Sequence, residues 1–185
     1  MALVEQNVAV AVTGAVSVGA EGATAPTGTA SALTGFTDLG YVGEDGVTEA
    51  NPSAGEAQKI KAWQNGATVR TIRAASEDNP TWTFVMIETK KETVETFYGT
   101  EVTQTATEGS YVIDSQALRG RFPYVLDVVD GDELERVYIP EGEVVEVGDK
   151  VYANGEVIGY EVTVEGHRSS AIGGNAKVWS TRLKS

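Results

Sequence analysis

The side chains with the best claim to chemistry in this sequence are few and scattered. Its one histidine, His167, is followed by Arg168, Ser169 and Ser170, residue types from which a hydrolytic nucleophile and its base can be assembled. No acid, base and nucleophile stand at a readable spacing around it, so a surface or loop histidine is expected. Glu44, Asp45 and Glu49 cluster around Gly46, an oxygen-rich group that would suit calcium. The spacing lacks the alternate ligands and terminal bidentate acid of a calcium loop, and Asp45-Gly46 reads instead as a turn. Trp63, Trp82 and Trp179 could present a sugar-binding platform, although burial in a core is the commoner fate of tryptophan. Paired carboxylates abound, but in so acidic a chain they carry almost no information about glycosidase chemistry. There is no phosphate-cradling glycine motif, no metal-ligand spacing and no basic patch interleaved with aromatics. The expectation is a protein that is not an enzyme, with no cofactor and no metal.

The elements that would position these residues are organised around Thr81 to Gly99. Up to Ile87 the stretch alternates, with Trp82, Phe84 and Met86 on one face, as a half-buried strand does. After Glu88 the period lengthens. Thr89 stands three residues before Glu92, the spacing of a capping box, and Val94, Phe97 and Tyr98 then recur at helical spacing before Gly99 supplies a stop. This predicts a strand running into one short amphipathic helix, at about residues 89–98.

The remainder reads as strands and turns. Val8, Val10 and Val12 alternate with alanines and continue through Ala15 to Val18 as a small-residue strand or arm. Gly19 to Gly35 is rich in Ala, Thr, Gly and Ser and reads as a flexible surface loop, or as an arm that orders only against a neighbour. Asn65-Gly66 joins Lys59–Gln64 with Thr68–Arg73, and Asn154-Gly155 joins Lys150–Ala153 with Glu156–Tyr160, both dipeptides suiting a type I′ hairpin turn. Asp130-Gly131-Asp132 separates the apolar runs Tyr124–Val129 and Leu134–Ile139 as a third hairpin. Ile158, Tyr160, Val162 and Val164 alternate with Gly159, Glu161, Thr163 and Glu165, a core face against an acidic one. A last strand, Val178 to Leu183, follows Gly173-Gly174. The fold expected is mainly β, a sandwich or barrel of roughly eight to ten strands with one helix. It forms a single domain over 1–185, with an N-terminal strand, arm and loop at 1–35, a core at 36–165 and a basic tail at 166–185.

Length and charge narrow the function. A chain of 185 residues is long enough for one real core, and 41% hydrophobic content argues against wholesale disorder. It has no cysteine, so disulfides and thiolate metal sites are excluded. The N-terminus shows neither a basic n-region nor a long apolar run, so synthesis and folding in the cytosol and no association with membrane are expected. The net charge of -13 is distributed in blocks. Seven acids and no base lie between Met1 and Gln58, and twelve acids between Asp127 and Glu165 face only Arg136 and Lys150. Lys59, Lys61, Arg70 and Arg73 lie in a stretch without acids, and Arg168, Lys177, Arg182 and Lys184 follow the last acid. Neutralisation within one subunit explains such blocks most simply. Self-association, with the basic tail or hairpin of one copy on the acidic region of the next, is the sharper reading.

The block Phe36-Thr37-Asp38-Leu39-Gly40-Tyr41-Val42-Gly43-Glu44-Asp45-Gly46-Val47-Thr48 is the most specific of several motifs. With Lys61-Ala62-Trp63, Val69-Arg70-Thr71 and Glu88-Thr89-Lys90-Lys91-Glu92-Thr93-Val94-Glu95-Thr96-Phe97-Tyr98-Gly99, it resembles the major tail tube proteins of long-tailed, non-contractile (siphovirus-type) bacteriophages, those of actinobacteriophages in particular. The likeness covers most of the chain. One departure is that no additional immunoglobulin-like domain follows the last strand.

The resemblance implies a structural virion protein made in the host cytoplasm. It implies six copies per ring, with rings stacked into a hollow tube around a tape-measure protein, between tail terminator and tail tip proteins. It implies too that DNA passes through the lumen during ejection without specific binding. Physically, six copies of a chain at -13 carry -78, and acids on the inner wall would repel DNA with its one negative charge per roughly 1.7 Å. Glu133, Glu135, Glu161 and Glu165 are the candidates for that wall. Val8, Val10, Val12, Glu44, Asp45, Glu49, Lys177 and Arg182 are the candidates for contacts between subunits. The competing reading is a monomeric or trimeric β-sandwich binding module, such as a capsid decoration or an adhesin-like domain that takes carbohydrate on its tryptophans.

Overall fold

The computed structural model describes residues 8–73 and 78–184. It is mainly β, with twelve strands among the described residues. In chain order these are β1 (Thr13–Gly19), β2 (Phe36–Asp38), β3 (Val42–Ala50), β4 (Ala57–Lys61), β5 (Thr68–Arg73), β6 (Thr81–Met86), β7 (Thr103–Gln104), β8 (Gly109–Ser110), β9 (Arg121–Asp130), β10 (Glu133–Val147), β11 (Tyr160–Gly166) and β12 (Lys177–Ser180). One helix, α1 (Lys91–Tyr98), follows β6, and a 3-10 turn at Thr181–Leu183 follows β12.

Eight strands make one antiparallel sheet in the order β2-β1-β9-β10-β11-β6-β3, with β12 added beside β10. The sheet folds over itself through β10. The first half of β10 pairs with β9 and β12, whereas its second half pairs with β11 after a register break between Ile139 and Gly142. Breaks of this kind let one strand belong to two layers. At the bend a side chain on Gly142 would meet the Tyr124 ring at 2.5 Å, so glycine is what allows the two layers to close. The core lies between them and includes Val16, Tyr124 and Ile139 from the first layer and Phe84, Tyr160, Val162 and Val164 from the second.

The strand and helix that organise the sequence are present. Trp82, Phe84 and Met86 alternate into the core of β6, and Val94 and Phe97 are the large apolar residues buried by α1. The Phe97 ring meets Tyr160 edge-on at 5.4 Å between centroids. Gly99 ends the helix in the left-handed conformation, its N–H donating to the Glu95 carbonyl. The start differs from the expected capping box. Lys90 is the N-cap and makes no side-chain cap, because the Thr89 hydroxyl is shared with the Tyr160 hydroxyl at 3.1 Å.

Local turn chemistry needs three corrections. Gly66 has φ +70° but among the described residues none other than glycine has positive φ, so the β4–β5 hairpin lacks the two left-handed residues of a type I′ turn. It closes instead with a longer loop in which the Gly66 N–H donates to the Ala62 carbonyl at 2.9 Å. Asn154-Gly155 is a turn but joins no strands, because residues 148–159 form a loop. Asp45-Gly46 lies within β3, where Val42 opposes Met86 and Val47 already opposes Phe84. The intervening residues bulge from an edge strand, so Asp45-Gly46 is part of a bulge within β3 and not a turn between strands. Asp130-Gly131-Asp132 does form the tight β9–β10 hairpin.

Candidate functional site

Two bases that stand alone in the acidic half of the sequence act as internal clamps. Arg136, on the outer face of β10, forms a bidentate pair with Asp127 at 2.6 and 2.8 Å. Its remaining amine donates to the Gly28 and Ser31 carbonyls at 3.1 and 2.7 Å. A buried arginine satisfied on all sides in this way holds Gly19 to Gly35 against the sheet, where Pro26 is also buried. This segment, expected to be flexible, is a folded cover with its own backbone bonds, such as Thr24 to Thr34. Lys150 sits over three tyrosine rings, at 4.4 Å from Tyr160, 5.0 Å from Tyr152 and 5.8 Å from Tyr98. Burial acts to lower its pKa, but hydrogen bonds to Tyr152 and Tyr160 outweigh this and raise it above the usual range. The 148–159 loop is thereby fastened to the end of α1. The signal in the sequence was their isolation: Arg136 and Lys150 are the only bases among twelve acids.

The four candidate wall acids fall into two groups. Glu161 and Glu165 project with Thr163 from the outer face of β11, beside Thr81 and Thr83 of β6 and Glu143 of β10. The Thr83 and Thr163 hydroxyls bond across the strands at 2.9 Å. The four segments of this layer, β3, β6, β11 and 142–147 of β10, contain no lysine or arginine. Glu133 and Glu135 lie on the other half of β10, next to β12. The Thr181 hydroxyl donates to Glu133, and Lys184 approaches it at 3.6 Å. The Thr181 hydrogen bond, more than Lys184, holds the Glu133 carboxyl below its ordinary value.

His167 continues the acidic face. Its Nε2 lies 2.8 Å from Glu143 and its Nδ1 3.9 Å from Glu165. Arg121 reaches the same Glu143 oxygen at 3.2 Å, and Asn79 donates to Glu165 at 2.6 Å. The histidine is thus a half-buried partner of carboxylates, with no nucleophile at the same point. The tryptophans do not form one platform: Trp82 is in the core, Trp179 is on β12 and Trp63 stands alone at the tip of the β4–β5 hairpin.

The candidate contact residues also separate. Val8, Val10 and Val12 are exposed, although the Val10 N–H is held by Asp130 and the Val12 N–H by the Val129 carbonyl. Glu44 and Asp45 are exposed on the β3 bulge. Glu49 accepts the Trp82 indole N–H at 3.1 Å. Lys177 lies over the Trp179 ring at 4.9 Å. Arg182 pairs with Asp130 of its own subunit, so much of the basic tail is neutralised internally. The β4–β5 hairpin carries Lys59, Lys61, Arg70 and Arg73 and, among the described residues, makes no substantial contact with any other element.

A comparison of the sequence with known families supplies the context for this geometry. The family model described as phage tail tube protein matches residues 1–175. The chain belongs to the phage tail tube protein family. Only the end of the chain, with β12 and the turn after it, lies past the match. A search of curated proteins returned no match. For a tail tube protein the role is structural, in the tail of the virion, and the family implies assembly into a tube together with other tail components. Membership of a structural family speaks for a role other than catalysis.

Proposed function

We propose that this tail tube protein assembles as stacked rings of six copies. The hollow centre of the stack is the conduit through which DNA passes on ejection into the host. In this reading the chain is made in the host cytoplasm and belongs to a siphovirus-type tail. The tape-measure protein occupies its lumen before ejection, and terminator and tip proteins close its ends.

The observation that carries the reading is the outer face of β6, β11 and 142–147 of β10. It presents Glu143, Glu161 and Glu165 among threonines, and its strands contribute no lysine or arginine. A wall of carboxylates and hydroxyls whose one neighbouring arginine among the described residues, Arg121, is paired with Glu143 repels a polyanion, so DNA slides along it. Glu161 and Glu165 are therefore assigned to the lumen, together with Glu143. Glu133 is engaged with the C-terminal turn, and it and Glu135 lie beside β12 on the other half of β10, so they are not needed for this wall. The free edges of β2 and β3 are suited to pairing between neighbours, which would remove exposed sheet edges by closing the ring. Val8, Val10, Val12, Glu44 and Asp45 lie at exposed positions compatible with such contacts.

Negative-stain electron microscopy of the purified protein tests the assembly. Rings or hollow tubes are expected, with assembly that weakens as salt screens the separated charges. A stable monomer across concentration and salt would overturn the reading.

A further inference from the structure

The β4–β5 hairpin ends in Trp63, whose residue is 96% exposed. Ile60, Val69 and Ile72 on its strands are exposed as well, and the hairpin carries four bases and no acid. A two-stranded hairpin alone in water is marginal at best. An uncovered indole leaves roughly 150–250 Å² without a partner. Among the described residues, β4 and β5 make no substantial contact with any other secondary-structure element, so their exposed apolar side chains are open to a partner from outside the subunit.

A cleft elsewhere on the subunit has the inverse chemistry. It lies between α1 and the segment entering β9, with a volume of about 390 Å³. Leu118, which is 95% exposed, and Phe122 supply much of its apolar lining, while Glu92, Glu95 and Glu101 contribute carboxylates. Glu95 is already engaged, accepting the Val102 N–H at 2.9 Å, which leaves Glu92 and Glu101 as the freer charges. Arg119 lines the same cleft. One of its amines donates to the Phe97 carbonyl at 3.0 Å, but its Nε is buried with no hydrogen-bond partner.

We propose that Trp63 of one copy seats against Leu118 and Phe122 in this cleft on a second copy. The hairpin bases then face Glu92 and Glu101. The occupant is a second copy of this chain because size, polarity and charge all match: an apolar tip with basic flanks enters an apolar cleft with an acidic rim. The tip also brings an aromatic face to the Arg119 guanidinium. Trp63 is the anchor of the contact, a large aromatic in a pocket, and the charges set its orientation. This contact deepens, and rests on, the reading of the chain as a self-assembling tube.

The chain has no cysteine, so a Gln64→Cys, Gln116→Cys double variant, which keeps Trp63, Leu118 and Phe122, reports the contact without background. Both sites are exposed, and circular dichroism checks that the subunit remains folded. Mild oxidation is expected to give a ladder of covalent multimers on a non-reducing gel. Gln64→Cys combined with Val157→Cys, an exposed site outside the cleft, is expected to give at least tenfold less. Electron microscopy of the same samples separates the possibilities. Tubes without a ladder would overturn the contact and leave the tube standing. A ladder without tubes would support the contact and overturn the tube, and the absence of both would overturn both. Equal ladders from the two double variants would also overturn the contact.

Discussion

The second layer of the sandwich and the β4–β5 hairpin are both antiparallel, yet they place their large side chains in opposite ways. In the layer, Trp82, Phe84, Met86, Tyr160 and Val162 are all buried, and Phe97 of α1 covers them at one end. In the hairpin, Ile60, Trp63, Val69 and Ile72 are all exposed among lysines and arginines. A strand that spends its apolar face inside the subunit confers rigidity and has nothing left to offer a neighbour. A hairpin that fully buries none of its large apolar side chains has much of their free energy of burial still available for association. The first region makes the subunit, and the second is built to join subunits.

The contrast can be broken most severely at Phe97. Phe97→Asp places a charge where an aromatic ring meets Tyr98 and Tyr160 and is expected to cost several kcal/mol, enough to abolish soluble folding. A soluble variant that still makes tubes would contradict the division. Arg136→Met comes next. It strips Asp127 and two backbone carbonyls of their donor, and since Asp127 keeps some access to water the expected loss is about 3 kcal/mol. Denaturant unfolding measures the loss, and faster proteolysis within Gly19 to Gly35 would show that the cover has lifted.

Replacing 57–73 by a short Gly-Ser linker should do the reverse. Subunit stability is expected to hold within about 0.5 kcal/mol, as for surface changes, while tube formation is lost. A large fall in thermal midpoint would mean that the hairpin belongs to the core. The smallest effect expected is at Glu133. Its pKa is lowered chiefly by the Thr181 hydroxyl, so its contribution to docking the C-terminal turn is fully present above the ordinary value of 4.5 and is lost as pH falls through the lowered one. Amide signals of Thr181 followed by NMR through acid titration should report the release, and Glu133→Gln should remove that pH dependence. The hairpin carries no carboxylate and should show no corresponding transition.

These differences also explain how much could be read from the sequence. Thr81 to Gly99 was legible because each period is local and its stop, Gly99, needs no partner. The β9–β10 hairpin was legible for the same reason. The capping box was misleading because Thr89 is claimed by Tyr160, seventy-one residues away. Asp45-Gly46 looked like a turn because glycine marks a bulge and a turn alike, and only pairing with β6 distinguishes them. Arg136 and Lys150 went unrecognised as clamps because their partners, Gly28 and Ser31 for one and a cluster of tyrosines for the other, are gathered only by the fold. Glu161 and Glu165 share a face as their alternation implied, whereas Glu133 and Glu135 were separated from them by the bend in β10.

Cryo-electron microscopy of tubes assembled from the purified protein is the most direct measurement. The expected map shows stacked six-membered rings, with Glu143, Glu161 and Glu165 on the inner wall and the β4–β5 hairpin against another subunit. A tube with that face on its outer surface, or a protein that stays monomeric, would contradict it.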